Sequence, residues 1–149
     1  MLEGNPEATY EPQHTYGNSK LANLLFAFEL QRRVEAAGSH LVSAAAHPGV
    51  SATNLVGSPD GMGSNPIVRM TAPFFMPVIF QSSAAGANPT LWAATYGAPG
   101  SYVGPTWLME SRGRLGEAKL SRHARNADLA VKLWEQSEEK TGVHFDFTA

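Results

Sequence analysis

The segment Leu41-Val42-Ser43-Ala44-Ala45-Ala46, set between Gly38 and Pro48-Gly49, shows no alternation of apolar and polar residues. A strand wet on one face alternates with period two, so a short run without alternation reads as a strand buried on both faces. Such strands belong to parallel sheets covered by helices, and a parallel neighbour is reached only through a crossover. The remaining sequence supplies the parts. From about Thr15 to Ala37 strong helix formers dominate, and Gly38 offers a left-handed stop. Ser82 to Tyr96 has helical composition, with Pro89 near its start or at a kink, and Ser101-Tyr102-Val103 is a second candidate strand. A last helix is predicted from about Asn126 to Thr141, with Leu129, Leu133 and Trp134 on one stripe and Gly142 ending it. Strand, helix, strand in this order predicts a parallel crossover and an α/β fold.

Two parallel strands cannot by themselves cover and pair so apolar a segment. The expectation is a single partial domain over residues 1–149, the C-terminal part of a doubly wound sheet, with an edge that is exposed or completed by another polypeptide. The first helix points the same way. Leu21, Leu24, Leu25 and Phe28 recur at helical spacing, while Ala22, Phe26, Ala27 and Leu30 fill most of the remaining circumference, so it needs cover on more than one side. Leu2 to Gln13 is polar and carries Pro6 and Pro12, which predicts a loop.

Composition excludes several classes. A net charge of −2 gives no electrostatic footprint for nucleic acid, and Arg112, Arg114, Lys119, Arg122 and Arg125 read as a solvated face. The absence of cysteine rules out disulfides and thiol chemistry and is compatible with a cytoplasmic protein. His14, His40, His47, His123 and His144 lack metal-ligand spacing, so no metal is assigned. The greasy stretch from Ile67 to Phe80 is too short to span a bilayer and contains Arg69, Pro73 and Pro77, and Met1-Leu2-Glu3-Gly4 begins no secretory leader; neither a transmembrane segment nor secretion is expected.

Chemistry is suggested at two places. Tyr16 and Lys20 stand four residues apart at the start of the first helix, a spacing that puts the side chains one above the other. A phenol beside a permanent cation is a proton-transfer device, although the pair alone could equally be an aromatic with a surface neighbour. Pro48-Gly49 follows the first strand at its carboxyl end, where open α/β sheets bind ligands, and taken alone is simply a turn. Thr53 could cap the segment that follows.

Taken together, Tyr16-Gly17-Asn18-Ser19-Lys20, the continuing Leu21-Ala22-Asn23-Leu24-Leu25-Phe26, His47-Pro48-Gly49 with Thr53, and the ending from Ala130 to Glu138 with Thr141-Gly142 resemble the short-chain dehydrogenase/reductase family. Within it they look most like the branch of retinol dehydrogenases and protochlorophyllide reductases. The likeness maps onto the C-terminal half of a family member. It implies a Rossmann-like doubly wound sheet whose N-terminal, nucleotide-binding half is missing, and hydride transfer between NAD(P), with NADP favoured, and a carbonyl or alcohol. Tyr16 would be the acid/base, Lys20 would also bond the nicotinamide ribose, and Pro48, Gly49, Val50 and Thr53 would hold the carboxamide. Asn54 to Phe80, with Phe74, Phe75, Met76 and Phe80, would cover a small apolar substrate. No serine precedes Tyr16, so none is carried over as catalytic, and the chain is expected to act only with a missing N-terminal half or a second copy. The competing expectation is a non-catalytic interaction module that uses its sheet edge and first helix.

Overall fold

A computed structural model describes residues 11–50 and 81–147. Thr53, the segment from Asn54 to Phe80 and the stretch before Glu11 lie outside the described residues. The elements in chain order are α1 (Pro12–Ala36), β1 (Ala45–Ala46), α2 (Ser83–Tyr96), β2 (Tyr102–Trp107), β3 (Arg112–Glu117) and α3 (Ala127–Thr141). They fall into two compact units, one of residues 1–44 with 120–149 and one of residues 45–119.

In the first unit α1 packs on α3. Pro12 opens α1 at a position where its missing N–H costs nothing, so the predicted loop ends earlier than expected. At the other end Gly38 takes φ 68°, Gly38 N–H donates to Glu35 O, and Ser39 N–H donates to Val34 O at 2.9 Å. This pair of reversed bonds satisfies carbonyls that the last turn leaves open. α3 is capped by the Asn126 side chain, which accepts the Leu129 N–H at 3.0 Å, and ends on Gly142 at φ 68°. Leu25, Ala130 and Leu133 form the centre, with Leu21, Ala22, Phe26 and Leu129 against them.

Trp134, only 1% exposed, ties this unit together. Its ring stacks on Phe26 at 5.0 Å, lies under the Arg33 guanidinium at 4.7 Å, and meets Phe145 and Phe147. The indole N–H donates to Glu138 Oε1 at 2.7 Å, so the one polar atom of the ring is satisfied. The Glu29 carboxylate, buried at 3%, is neutralised by Arg33 at 2.7 Å and by Arg32. Leu24, Phe28 and Leu30 stay half-buried, so α3 covers one side of α1 and leaves the other partly open among the described residues.

The second unit holds a sheet of order β1-β2-β3. β1 and β2 are parallel as the sequence predicts, with Ala45 opposite Tyr102 and Ala46 opposite Val103. The strand is shorter than expected. Leu41 and Val42 are 49% and 51% exposed, and Ser43, instead of joining a ladder, donates its N–H to Gln31 Oε1 at 2.7 Å and its hydroxyl to Ala27 O. A parallel strand exists only as far as a neighbour satisfies its peptide groups, and β2 offers partners to the last residues alone.

β3 was not anticipated. It runs antiparallel to β2, from Val103 opposite Glu117 to Trp107 opposite Arg112, with a register shift between Pro105 and Trp107. Pro105, which has no N–H to donate, sits at that shift. Ser82 caps α2 by accepting the Ala85 N–H, and Gly86 and Pro89 are its buried residues. α2 leaves Leu91, Trp92 and Tyr96 exposed. No described helix is long and apolar enough to cross a membrane.

Candidate active site

Tyr16 and Lys20 come together as their spacing predicts. The Lys20 Nζ lies 5.1 Å from the centroid of the Tyr16 ring, on one face of α1. From His14 to Lys20 the side chains are exposed, and only from Leu21 onward does α1 bury its residues. Tyr16 is 55% exposed, so its hydroxyl is free of the packing that fixes the rest of the helix. Ser19 does not share this role, because its Oγ donates back to Tyr16 O at 2.7 Å. The arrangement thus sets a phenol beside an ammonium at the open end of the helix.

The Pro48 to Val50 turn belongs to the other unit. Gly49 takes φ 71°, where side-chain-bearing residues are strained, and a Cβ there would lie 2.6 Å from Pro105 Cγ and 2.8 Å from the Ser111 carbonyl carbon. Gly49→Ala therefore combines a left-handed penalty of about 1–2 kcal/mol with overpacking of about 1–3 kcal/mol. Chemical denaturation should show a midpoint well below wild type, and an unchanged midpoint would mean the turn packs differently. Val50 donates its N–H to Ser111 O at 2.8 Å and accepts from Gln81 N at 3.1 Å, while the Gln81 side chain donates to Pro48 O. The Val50 N–H and the Pro48 and Val50 carbonyls are thus all engaged within this unit. A ligand would use the second lone pairs of the carbonyls or take the place of Ser111 and Gln81. Thr53 lies outside the described residues.

His47, next to this turn, was not given a chemical role by its sequence context. Burial pushes its imidazole below the ordinary 6.5, and the Glu110 carboxylate offsets part of that. Burial, then Glu110, pushes the Tyr102 phenol above 10. Because the folded state binds the His47 proton less readily than the unfolded chain, stability is full above about pH 6.5 and declines as the pH falls through the lowered folded value. Denaturation midpoints measured between pH 7.5 and 5.5 should fall with pH, and the decline should be shallower in His47→Gln. Equal slopes in the two proteins would remove His47 as the cause. A cavity of about 360 Å³ in the same unit, lined by Trp92, Tyr102, Val103 and Leu115 among others, contains none of the predicted site residues.

No protein-family model matches the sequence. Among curated proteins, the chain is 31% identical over 147 residues to retinol dehydrogenase 14 of Mus musculus, covering 93% of this chain and 39% of that protein. The human retinol dehydrogenase 14 is 32% identical over 146 residues, 93% of this chain and 38% of the relative. Polyprenol dehydrogenase of Mus musculus is also 32% identical, over 96% of this chain and 40% of the relative. The chain belongs to the short-chain dehydrogenases/reductases. It corresponds to the C-terminal half of a family member and spans about two fifths of the length of these curated relatives. A crystal structure of an uncharacterized protein from Mycobacterium Paratuberculosis superposes with a TM-score of 0.70 at 39% identity, covering 95% of this chain and 43% of that one. The Rossmann-like α/β class expected from the sequence is thereby established, with β3 added to it.

Proposed function

We propose that this chain supplies the acid/base and the nicotinamide-end residues of an NAD(P)-dependent oxidoreductase that reduces a carbonyl or oxidises an alcohol. The observation that carries the reading is the Tyr16 and Lys20 pair, together on one face at the open end of α1. In reduction the Tyr16 hydroxyl gives its proton to the carbonyl oxygen, and in oxidation the phenolate removes the hydroxyl proton. In this reading the Lys20 ammonium stands beside the Tyr16 ring and offers donors to a ribose hydroxyl. When bound, the nicotinamide supplies or receives the hydride. Pro48, Gly49, Val50 and Thr53 are the carboxamide holders in this reading.

The substrate is an apolar carbonyl or alcohol, in keeping with the names of the retinol and polyprenol dehydrogenases, and NADP is favoured over NAD. The chain acts together with a dinucleotide-binding half, and the assay follows from that. This chain mixed with a separately made half of that kind should oxidise NADPH, faster than NADH, only when an apolar aldehyde is present. Absence of both association and activity would reject the reading.

A second reading has its own support: Leu91, Trp92 and Tyr96 on α2 are exposed, and Leu24, Phe28 and Leu30 on α1 are half-buried, as on a face that binds a partner. A module of that kind would keep its biological effect in Tyr16→Phe and lose it when Phe28 is replaced by a charged residue.

A further inference from the structure

The His47 ring is fixed by groups drawn from several elements of its unit. Nδ1 accepts the Gly49 N–H at 3.3 Å, so the neutral ring carries its hydrogen on Nε2. Nε2 is buried with no hydrogen-bond partner and faces the Glu110 carboxylate, whose Oε2 stands 3.9 Å away. The other Glu110 oxygen accepts the Lys119 N–H at 2.8 Å, which anchors the carboxylate to the end of the hairpin. The ring lies 5.2 Å from Tyr102, centroid to centroid, and over Gly104, where a Cβ would fall on the imidazole. Glu110 itself closes a run of three non-glycine residues with positive φ, at 48°, 54° and 63° for Leu108, Met109 and Glu110. Side-chain-bearing residues seldom occupy that region in succession, and such strain persists where the surroundings over-determine it.

We propose that His47 and Glu110 are positioning residues for the cofactor turn: the carboxylate holds the imidazole, and the imidazole, through the Gly49 N–H, fixes the direction of the Pro48 to Val50 peptide groups. The inference rests on the reading of that turn as the carboxamide site. It gives the β2 to β3 loop a task at a distance from any reacting atom. A pH dependence is built in, because protonation puts a hydrogen on Nδ1, directly against the Gly49 N–H, and ends that bond. Among the described residues the titratable groups facing His47 are Glu110 from the loop and Tyr102 from β2.

The test follows the Gly49 amide and the His47 ring by NMR between pH 5 and 8 in the chain. In wild type the two should titrate with one midpoint, the amide moving as its bond is lost. Glu110→Gln keeps an oxygen for the Lys119 N–H while removing the charge, and should lower that midpoint. His47→Asn, whose side-chain oxygen can take the Gly49 N–H in a local turn, should hold the amide shift and abolish the inflection. With the dinucleotide-binding half present, Glu110→Gln should raise the KM for NADPH several-fold and leave kcat in place. NADPH binding without a His47-linked change at Gly49, or a loss in kcat with KM unmoved, would overturn the proposal alone. No NADPH binding by the wild-type pair would overturn the cofactor reading and the proposal with it.

Discussion

Tyr16→Phe is expected to lower carbonyl reduction by about a hundred- to ten-thousand-fold, the range a positioned general acid contributes. The change removes one oxygen from a side chain that is already 55% exposed, so it creates no cavity and leaves no buried group unpaired. Binding of NADPH and the denaturation midpoint should both stay at wild-type values. That separation gives the experiment its force, since a rate loss accompanied by unfolding or by lost cofactor would assign Tyr16 to structure. Lys20 should behave differently, because in the proposed reading its ammonium stands beside the Tyr16 ring and also bonds a ribose hydroxyl. Replacing it should therefore impair both kcat and the KM for NADPH.

Trp134→Ala is the change expected to cost the most stability, about 3–5 kcal/mol by analogy with other large-to-small core substitutions. The indole stacks on Phe26, lies against the Arg33 guanidinium and meets Phe145 and Phe147, so its removal opens contacts on α1 and on the segment after α3 simultaneously. It also deprives Glu138 of the indole N–H. Urea denaturation followed by circular dichroism should show a much lower midpoint or no cooperative transition. Trp134→Phe, which keeps an aromatic stack and loses the N–H donor, should fall between. A near-wild-type midpoint for the alanine variant would mean that α1 and α3 do not depend on this ring.

The helices were legible because their ends are chemically explicit. Gly38 and Gly142 take the left-handed conformation that stops α1 and α3, and Ser82 and Asn126 cap α2 and α3 through side-chain oxygens. Tyr16 and Lys20 were legible for the same reason, since both lie on one helix and the repeat of that helix fixes their meeting. What escaped notice depends on pairing across the sequence. β3 reads Arg-Gly-Arg-Leu-Gly-Glu, with two glycines and three charges, and nothing in it favours a strand by itself. It is a strand because β2 pairs with it, and its glycines suit the place: a Cβ at Gly113 would lie 2.7 Å from Trp107 Cβ, and one at Gly116 would lie 2.6 Å from Thr106 Cγ2. The strand at Leu41 to Ala46 erred in the other direction, since apolar content promised more ladder than β2 supplies. His47 and Glu110 meet only through the hairpin, and no local spacing announces a contact of that kind.

The central claim is that the phenol and ammonium at the open end of α1 serve hydride transfer to a carbonyl. Its most direct test uses NADPH carrying deuterium at both C4 positions of the nicotinamide, an apolar aldehyde, and this chain supplemented with a dinucleotide-binding half. Mass spectrometry should find one deuterium on the carbinol carbon of the alcohol product, with the signal lost in Tyr16→Phe. Alcohol formed without deuterium, or label transferred equally well by the phenylalanine variant, would contradict it.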